Sequence, residues 1–405
     1  MSATDFQDVV DSVTSAVKEK RIALFTGSGF TKALHAASPD WGQLLERVWL
    51  SLDDEAKLDP KKPFSDFLGN GKSYYRVADE MAEALKSETK TDDGESFLKS
   101  RIAKELPKID NVSMVIQVEW RKILSVLNPS ICMTTNYDLI LEKLVSHSKT
   151  CGGSIPVTHA GETVPVYHMH GSVLNHQEIV IFESDSINTM LPNSYASIKI
   201  PSIFYEYVTI MLGYGLSDSN VSYFLGLSRF LGTTVSDRHK LILVNYKANG
   251  AHNAVTSKSG MVVVESSDIK ETMRDLLRDC LMEEINKKVQ ELEDGYHGHW
   301  FGKVQPDQSV NWDECADFLT HVLNELEAAL RADVAIFRFM MPTYAKWLNE
   351  ALGWCGHSFG MSYEGQRRWS AWLGTAKMRN KELLRTLEKE ADQKDLKALK
   401  VSLNE

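Results

Sequence analysis

No Cys-x-x-Cys pair occurs in this chain. Its five cysteines, Cys132, Cys151, Cys280, Cys315 and Cys355, are odd in number and widely scattered. That gives neither a thiolate zinc site nor a disulfide framework, and it fits a reducing compartment, so a cytoplasmic location is expected. Long hydrophobic runs are missing as well. No stretch approaches the roughly 20 apolar residues of a membrane span. The N-terminus lacks the basic-then-apolar pattern of a secretory leader. It reads instead as an amphipathic helix with Phe6, Val9, Val10, Val13, Ala16 and Val17 on one face. An excess of positive charge is also absent. The formal net charge of −10 argues against a broad nucleic-acid surface, because phosphate binding needs a positive field. Neither an internal repeat nor a low-complexity tract is found.

What is present is the composition of an ordinary globular protein, 43% hydrophobic and 25% charged, in 405 residues. That length favours two domains. Short apolar runs at Ile22 to Phe25, Ile131 to Thr135, Val164 to Met169, Ile179 to Phe182, Val208 to Gly213, Leu241 to Asn245 and Met261 to Glu265 read as strands. Helical patterns lie between several of them, notably Val221 to Phe230. Strands alternating with helices predict an α/β fold, a Rossmann-like, mostly parallel sheet covered by helices on both faces. The expected first domain is 1–290, with a helical insertion over about 50–128. Beyond it the periodicity is helical and six of the nine tryptophans gather, so 291–405 is expected to form an all-helical domain for oligomerisation or partner binding. Its acidic front gives way to Arg367, Arg368, Lys377, Arg379 and Lys381.

Four segments each follow a predicted strand: Thr26-Gly-Ser-Gly-Phe-Thr31, Thr134-Thr-Asn-Tyr-Asp138, Tyr167-His-Met-His-Gly-Ser172 and Gly213-Tyr-Gly-Leu-Ser-Asp-Ser-Asn220. In a parallel sheet all four surface at the carboxyl edge, where open α/β sheets bind ligands. Gly27 and Gly29 allow a tight turn with main-chain N–H groups facing a phosphate. The turn fails as a dehydrogenase fingerprint, since Lys32 replaces the third glycine and no acidic residue ends the next strand. Asp138 reads either as a helix cap or as a site residue. Asn136 offers a donor and an acceptor to a substrate or water. His170 reads either as a core histidine or as a ring facing the crevice. His168 lies two residues away, and the pair is read as a poor metal site. Ser217, Asp218 or Asn220 caps the helix after the second glycine turn, and Asn245 ends another strand at the same edge.

These residues resemble the sirtuin superfamily, and more closely its bacterial sirtuin-like NADase branch from anti-phage defence systems. The resemblance covers about residues 20–270. Thr26-Gly-Ser-Gly resembles the first NAD-binding turn, Thr134 to Asp138 the T-x-N-x-D segment, and His170-Gly171 the catalytic His-Gly pair. It implies Asn136 and His170 as catalytic residues with Asp138 supporting them. It also implies Gly27, Ser28, Gly29, Phe30, Thr31, Thr135, Gly213, Gly215, Ser217, Asp218 and Asn245 as the dinucleotide's hold. The implied reaction is cleavage of NAD between nicotinamide and ribose, with NAD as substrate and no metal. In such a site Asn136 would orient water or the ribose, and His170 would act as base, a role suited to a histidine's ordinary pKa of about 6.5. A homo-oligomer is implied too, with a HerA-type hexameric ATPase as partner.

Two departures weaken protein deacylation as the alternative. Deacylases carry a four-cysteine zinc module between the histidine and the second glycine turn, whereas no cysteine lies between Cys151 and Cys280 here. Their Pro-Asp-Phe-Arg motif is also missing, because Pro39-Asp40 is followed by Trp41. A non-catalytic regulator that binds NAD or ADP-ribose is the other reading; it would leave NAD intact after hours of incubation.

Overall fold

The computed structural model describes residues 2–281, apart from 4, 57–62, 70, 90–92, 153–162, 193, 215–218, 232–240, 248–253 and 257–260, together with 283, 287, 367, 370 and 371. The chain divides into two compact units, Met1–Leu277 and Arg278–Glu405. Nearly all of the expected helical domain, with its six tryptophans, lies outside the described residues.

The first unit is built on one nine-stranded sheet. Its strands are β1 (Ser2–Ala3), β2 (Ile22–Thr26), β3 (Ile131–Thr134), β4 (Ser148–Gly152), β5 (Val164–His168), β6 (Val208–Leu212), β7 (Leu241–Tyr246), β8 (Ala254–Thr256) and β9 (Val262–Ser266). They stand in the order β1-β8-β9-β7-β6-β2-β3-β5-β4. Every pairing from β9 across to β4 is parallel, while β8 with β9 and β1 with β8 are antiparallel. The fold is α/β and Rossmann-like. β2, β3 and β6 are buried at every position, as strands covered on both faces must be. Ala23, Phe25, Met133 and Met211 share a core with Ile200 and Phe204 of α9 (Tyr195–Glu206) and Phe224 of α10 (Ser219–Leu231). Intervening residues such as Ile22 and Leu24 point to the opposite face.

Helix ends follow local chemistry. Asp5 caps α1 (Phe6–Lys18) by accepting from the Gln7 N–H, and Ser113 caps α6 (Met114–Leu127) by accepting from Ile116. α6 stops at Asn128, whose φ of 44° is left-handed, directly before Pro129. Between β2 and β3 come α2 (Ser28–Leu34), α3 (Trp41–Ala56), α4 (Tyr74–Thr89), α5 (Gly94–Glu105) and α6. Helices α3 to α5 pack around a second core that includes Leu45, Val48, Met81, Leu85, Leu98 and Ile102. Tyr137, Ile179, Ile181 and Phe182 join it, so this insertion reaches the functional edge of the sheet.

Four elements differ from the sequence expectation. Ile179 to Phe182 is not a strand but a buried strap leading into α8 (Glu183–Met190). Its backbone is satisfied locally, Val180 N–H donating to His170 O (2.8 Å) and Tyr137 Oη–H donating to Val180 O (2.9 Å). β4 appears where no apolar run marks it, because an edge strand is half solvated. β1 and β8 are too short to show a period.

Candidate active site

β2 sits between β3 and β6, and the chain runs outward from it in opposite directions on its two sides. That is the switch point at which such sheets hold ligands. The register aligns Thr26 with Thr134 and Leu212, Thr134 with His168, and Leu212 with Val244. The segments after β2, β3, β5 and β6 therefore emerge at one edge. A pocket there is lined by Ser28 and Thr31, by Thr135 to Asp138, and by His170. Pro39, Asp40, Trp41, Leu44, Leu106 and Pro107 complete its wall.

Asn136 is the most constrained side chain of this pocket. Its Nδ2 donates to Gly27 O (3.1 Å) and to Thr31 Oγ1 (2.9 Å). Its main-chain N–H donates to Thr134 Oγ1 (3.0 Å). The expectation of a donor as well as an acceptor for the ligand is corrected: both amide protons are committed inside the protein, which leaves Oδ1, an acceptor, for whatever enters.

Asp138 stands behind it. Thr31 Oγ1 accepts from Asn136 and donates to Asp138 Oδ2 (3.2 Å), while Asp138 Oδ1 accepts from Ile140 N–H (3.0 Å). The carboxylate thus braces the turn into α7 (Ile140–Leu144) and anchors the Asn136–Thr31 relay; the helix-cap reading is corrected, since Leu139 holds the cap position. Burial pushes its pKa up to about 6 from 3.8, against the lowering effects of the Ile140 and Thr31 hydrogen bonds and of His168. Burial wins because two hydrogen bonds replace less than the hydration lost.

The two histidines part because β5 ends at His168 and the chain turns before His170. His170 follows β5, is buried and lines the pocket. His168 ends β5 with Nδ1 2.8 Å from Asn136 O and Nε2 2.6 Å from Glu142 Oε1. Gly171 follows His170 at φ +75°, and a Cβ there would lie 2.3 Å from Glu178 O. The tight turn is needed because the chain doubles back under the strap.

The glycine turns are used differently from the expectation. Gly27 N–H donates to Leu212 O (3.0 Å) and Gly29 N–H to Gly213 O (2.9 Å), so neither N–H faces a ligand. A Cβ on Gly29 would lie 2.7 Å from Gly213 O, and one on Gly213, at φ +61°, 2.0 Å from Phe30 N. These glycines let the turns after β2 and β6 touch each other. Phe30 is corrected as well: it is 1% exposed and stacks edge-on against Trp120 with centroids 4.9 Å apart, which makes it core. Asn245 is exposed and Gly213 does not line the pocket. Gly215, Ser217 and Asp218 lie outside the described residues.

Sequence reasoning missed Glu142, Tyr137 and the wall from the insertion. Trp41 carried the only signal, as the residue after Pro39-Asp40. Among the described residues no group of three or more His, Cys, Asp or Glu side chains is placed to hold a metal ion, and Cys132, Cys151 and Cys280 are free thiols. No helix among them is long and apolar enough to cross a membrane.

Comparison with known proteins fits this geometry. The chain is similar to Defense-associated sirtuin 2 of Bacillus subtilis, at 21% identity over 320 residues. The match takes in 74% of this chain and spans 29% of that protein's length. Residues 130–280 match the SIR2-like domain family, and this stretch supplies Asn136, Asp138 and His170. The second half of the α/β unit is therefore similar to SIR2-like domains.

Proposed function

We propose that this chain hydrolyses NAD+ at the nicotinamide–ribose bond, releasing nicotinamide and ADP-ribose, as the effector of an anti-phage abortive-infection system. The observation that carries the reading is the convergence of Asn136 and His170, both in the stretch similar to SIR2-like domains, on one pocket beside the first glycine turn.

The chemistry asks little covalent work of the protein. The nicotinamide ring leaves as a neutral base, taking the C–N electron pair, and an oxocarbenium-like ribose develops behind it. Holding the ribose and placing water within reach supply most of the acceleration. Asn136 Oδ1 accepts a hydrogen bond from the incoming water or a ribose hydroxyl. His170 takes the proton released as the new C–O bond forms. Asp138 acts at one remove, fixing Thr31 and through it the Asn136 amide. Ser28, Thr31 and Thr135 hold the ribose and the adjoining phosphate, with Gly215, Ser217, Asp218 and Asn245 further along the dinucleotide. Apolar groups of Trp41, Leu44, Leu106 and Pro107 limit water around the reacting carbon, which strengthens each polar contact there.

The defence role draws on the similarity to Defense-associated sirtuin 2. Because uncontrolled NAD loss kills the cell, activity is tied to assembly: a homo-oligomer, joined by a HerA-type hexameric ATPase. The deciding experiment is NAD consumption by the wild type, Asn136→Ala and His170→Ala. Both variants are expected to lose turnover while remaining folded. Full activity in either one removes that residue from the mechanism.

A further inference from the structure

We propose that the buried pair His168–Glu142, which contributes nothing to the pocket lining, is the positioning device that fixes the Asn136 peptide and so aims Asn136 Oδ1 into the pocket. The catalytic consequence rests on the role given to Asn136 above; the positional claim rests on the hydrogen bonds alone.

His168 is 1% exposed and the Glu142 side chain 9%. Both ring nitrogens meet acceptors, Nδ1 the main-chain oxygen of Asn136 at 2.8 Å and Nε2 the carboxylate Oε1 at 2.6 Å. Thr150 Oγ1 donates to the same Oε1 at 3.0 Å, from β4. A proton therefore sits on Nδ1 toward Asn136, and another lies between Nε2 and Glu142. Among the described residues Asp138 faces this cluster and its charge couples to both partners, and the Cys132 and Cys151 thiols face Glu142.

Burying such a pair costs desolvation, and well-packed apolar side chains of similar size would be no less stable. The bond to Asn136 gives the pair a use. Asn136 N–H is held by Thr134, its two amide protons by Gly27 and Thr31, and its carbonyl by His168. Only Oδ1 is left over. His168 clamps this peptide from the last residue of β5, while His170, in the turn beyond the strand, lines the pocket. Glu142, on α7, holds the ring upright. Without the clamp, the 136–137 peptide is free to rotate and Oδ1 swings with it.

Two near-isosteric variants of the full chain separate the two bonds. In His168→Asn the amide nitrogen takes the place of Nδ1 and keeps the donor to Asn136 O. In His168→Gln it takes the place of Nε2, reaches Glu142 and leaves Asn136 O without its donor. His168→Gln is expected to lower kcat for NAD by about 10- to 100-fold, the scale of a 1 Å misplacement, with KM changed less than about 3-fold. His168→Asn is expected to recover most of that loss. A second readout needs no turnover: the Asn136 side-chain amide protons should exchange with solvent faster in His168→Gln than in the wild type or His168→Asn. Should His168→Gln not fold, Glu142→Leu, which frees the ring from behind, is expected to show the same split between kcat and KM. Equal losses in both His168 variants, or unchanged amide exchange in His168→Gln, overturn the proposal. A wild type that leaves NAD intact counts against the NAD-hydrolase reading, and the exchange measurement still decides the positional claim.

Discussion

Replacing Asp138 by asparagine separates the energetic cost of its charge from its structural use. The folded carboxyl has a pKa of about 6 against 3.8 for the ordinary group, with burial the dominant cause. Below pH 3.8 both folded and unfolded chains hold the proton, and the group costs nothing. As pH rises from 3.8 to 6 the unfolded chain ionises first, and folding stability is lost. Above pH 6 both forms are ionised and the penalty is constant. At about 1.36 kcal/mol per unit, the full penalty is about 3 kcal/mol, of which about 2 kcal/mol develops between pH 4.5 and pH 7.5. Asp138→Asn cannot ionise. Its amide still accepts from Ile140, but it offers Thr31 an N–H where the hydroxyl needs an acceptor, which costs about 1 kcal/mol at every pH. Urea unfolding of both proteins, followed by circular dichroism across this range, should show the variant gaining about 2 kcal/mol relative to the wild type as pH rises. A difference that stays flat with pH, or that moves against the variant, refutes burial as the controlling term.

Other consequences follow from the same geometry. Gly213→Ala places a Cβ 2.0 Å from Phe30 N at a φ of +61°, so the turns after β2 and β6 must part; a loss of more than about 1 kcal/mol and of NAD turnover is expected. Lys99 is a buried strut beneath the strap, 3.1 Å from Gln177 O and 3.0 Å from Asp185 Oδ2. Lys99→Met should cost about 2 kcal/mol in thermal or urea unfolding, less than a fully buried pair because Asp185 is partly exposed. Light scattering at micromolar concentration should find a large homo-oligomer, and a clean monomer would count against assembly control. Acetyl-peptide incubated with NAD should remain acetylated while nicotinamide accumulates.

The strands that position the site were legible because a fully buried parallel strand is a short apolar run ended by a turn, as at Ile22–Thr26 and Val208–Leu212. The same rule misread Ile179 to Phe182. Four apolar residues in a row satisfy a strap over a second core as well as a strand, and only the partners of Val180 tell them apart. β4 was hidden for the opposite reason, since Ser148-Lys-Thr-Cys-Gly152 has polar residues where an edge strand meets water. Asn136 and His170 stood out as polar groups at strand ends, and the shared edge brings them to one pocket. The contacts that hold them were not legible. Thr31 and Asp138 are 107 residues apart and His168 and Glu142 are 26 apart, and no local period links either pair. The first glycine turn was read as a phosphate cradle because its main task, contact with the turn after β6, is a relation between two distant segments.

The most direct measurement is mass spectrometry of NAD incubated with the full chain in 18O-labelled water. The mechanism requires nicotinamide and ADP-ribose in equal amounts, with one heavy oxygen on the ribose carbon that carried nicotinamide, and none of either product from Asn136→Ala or His170→Ala. Intact NAD with the wild type, or labelled ADP-ribose formed at the wild-type rate by both variants, would contradict it.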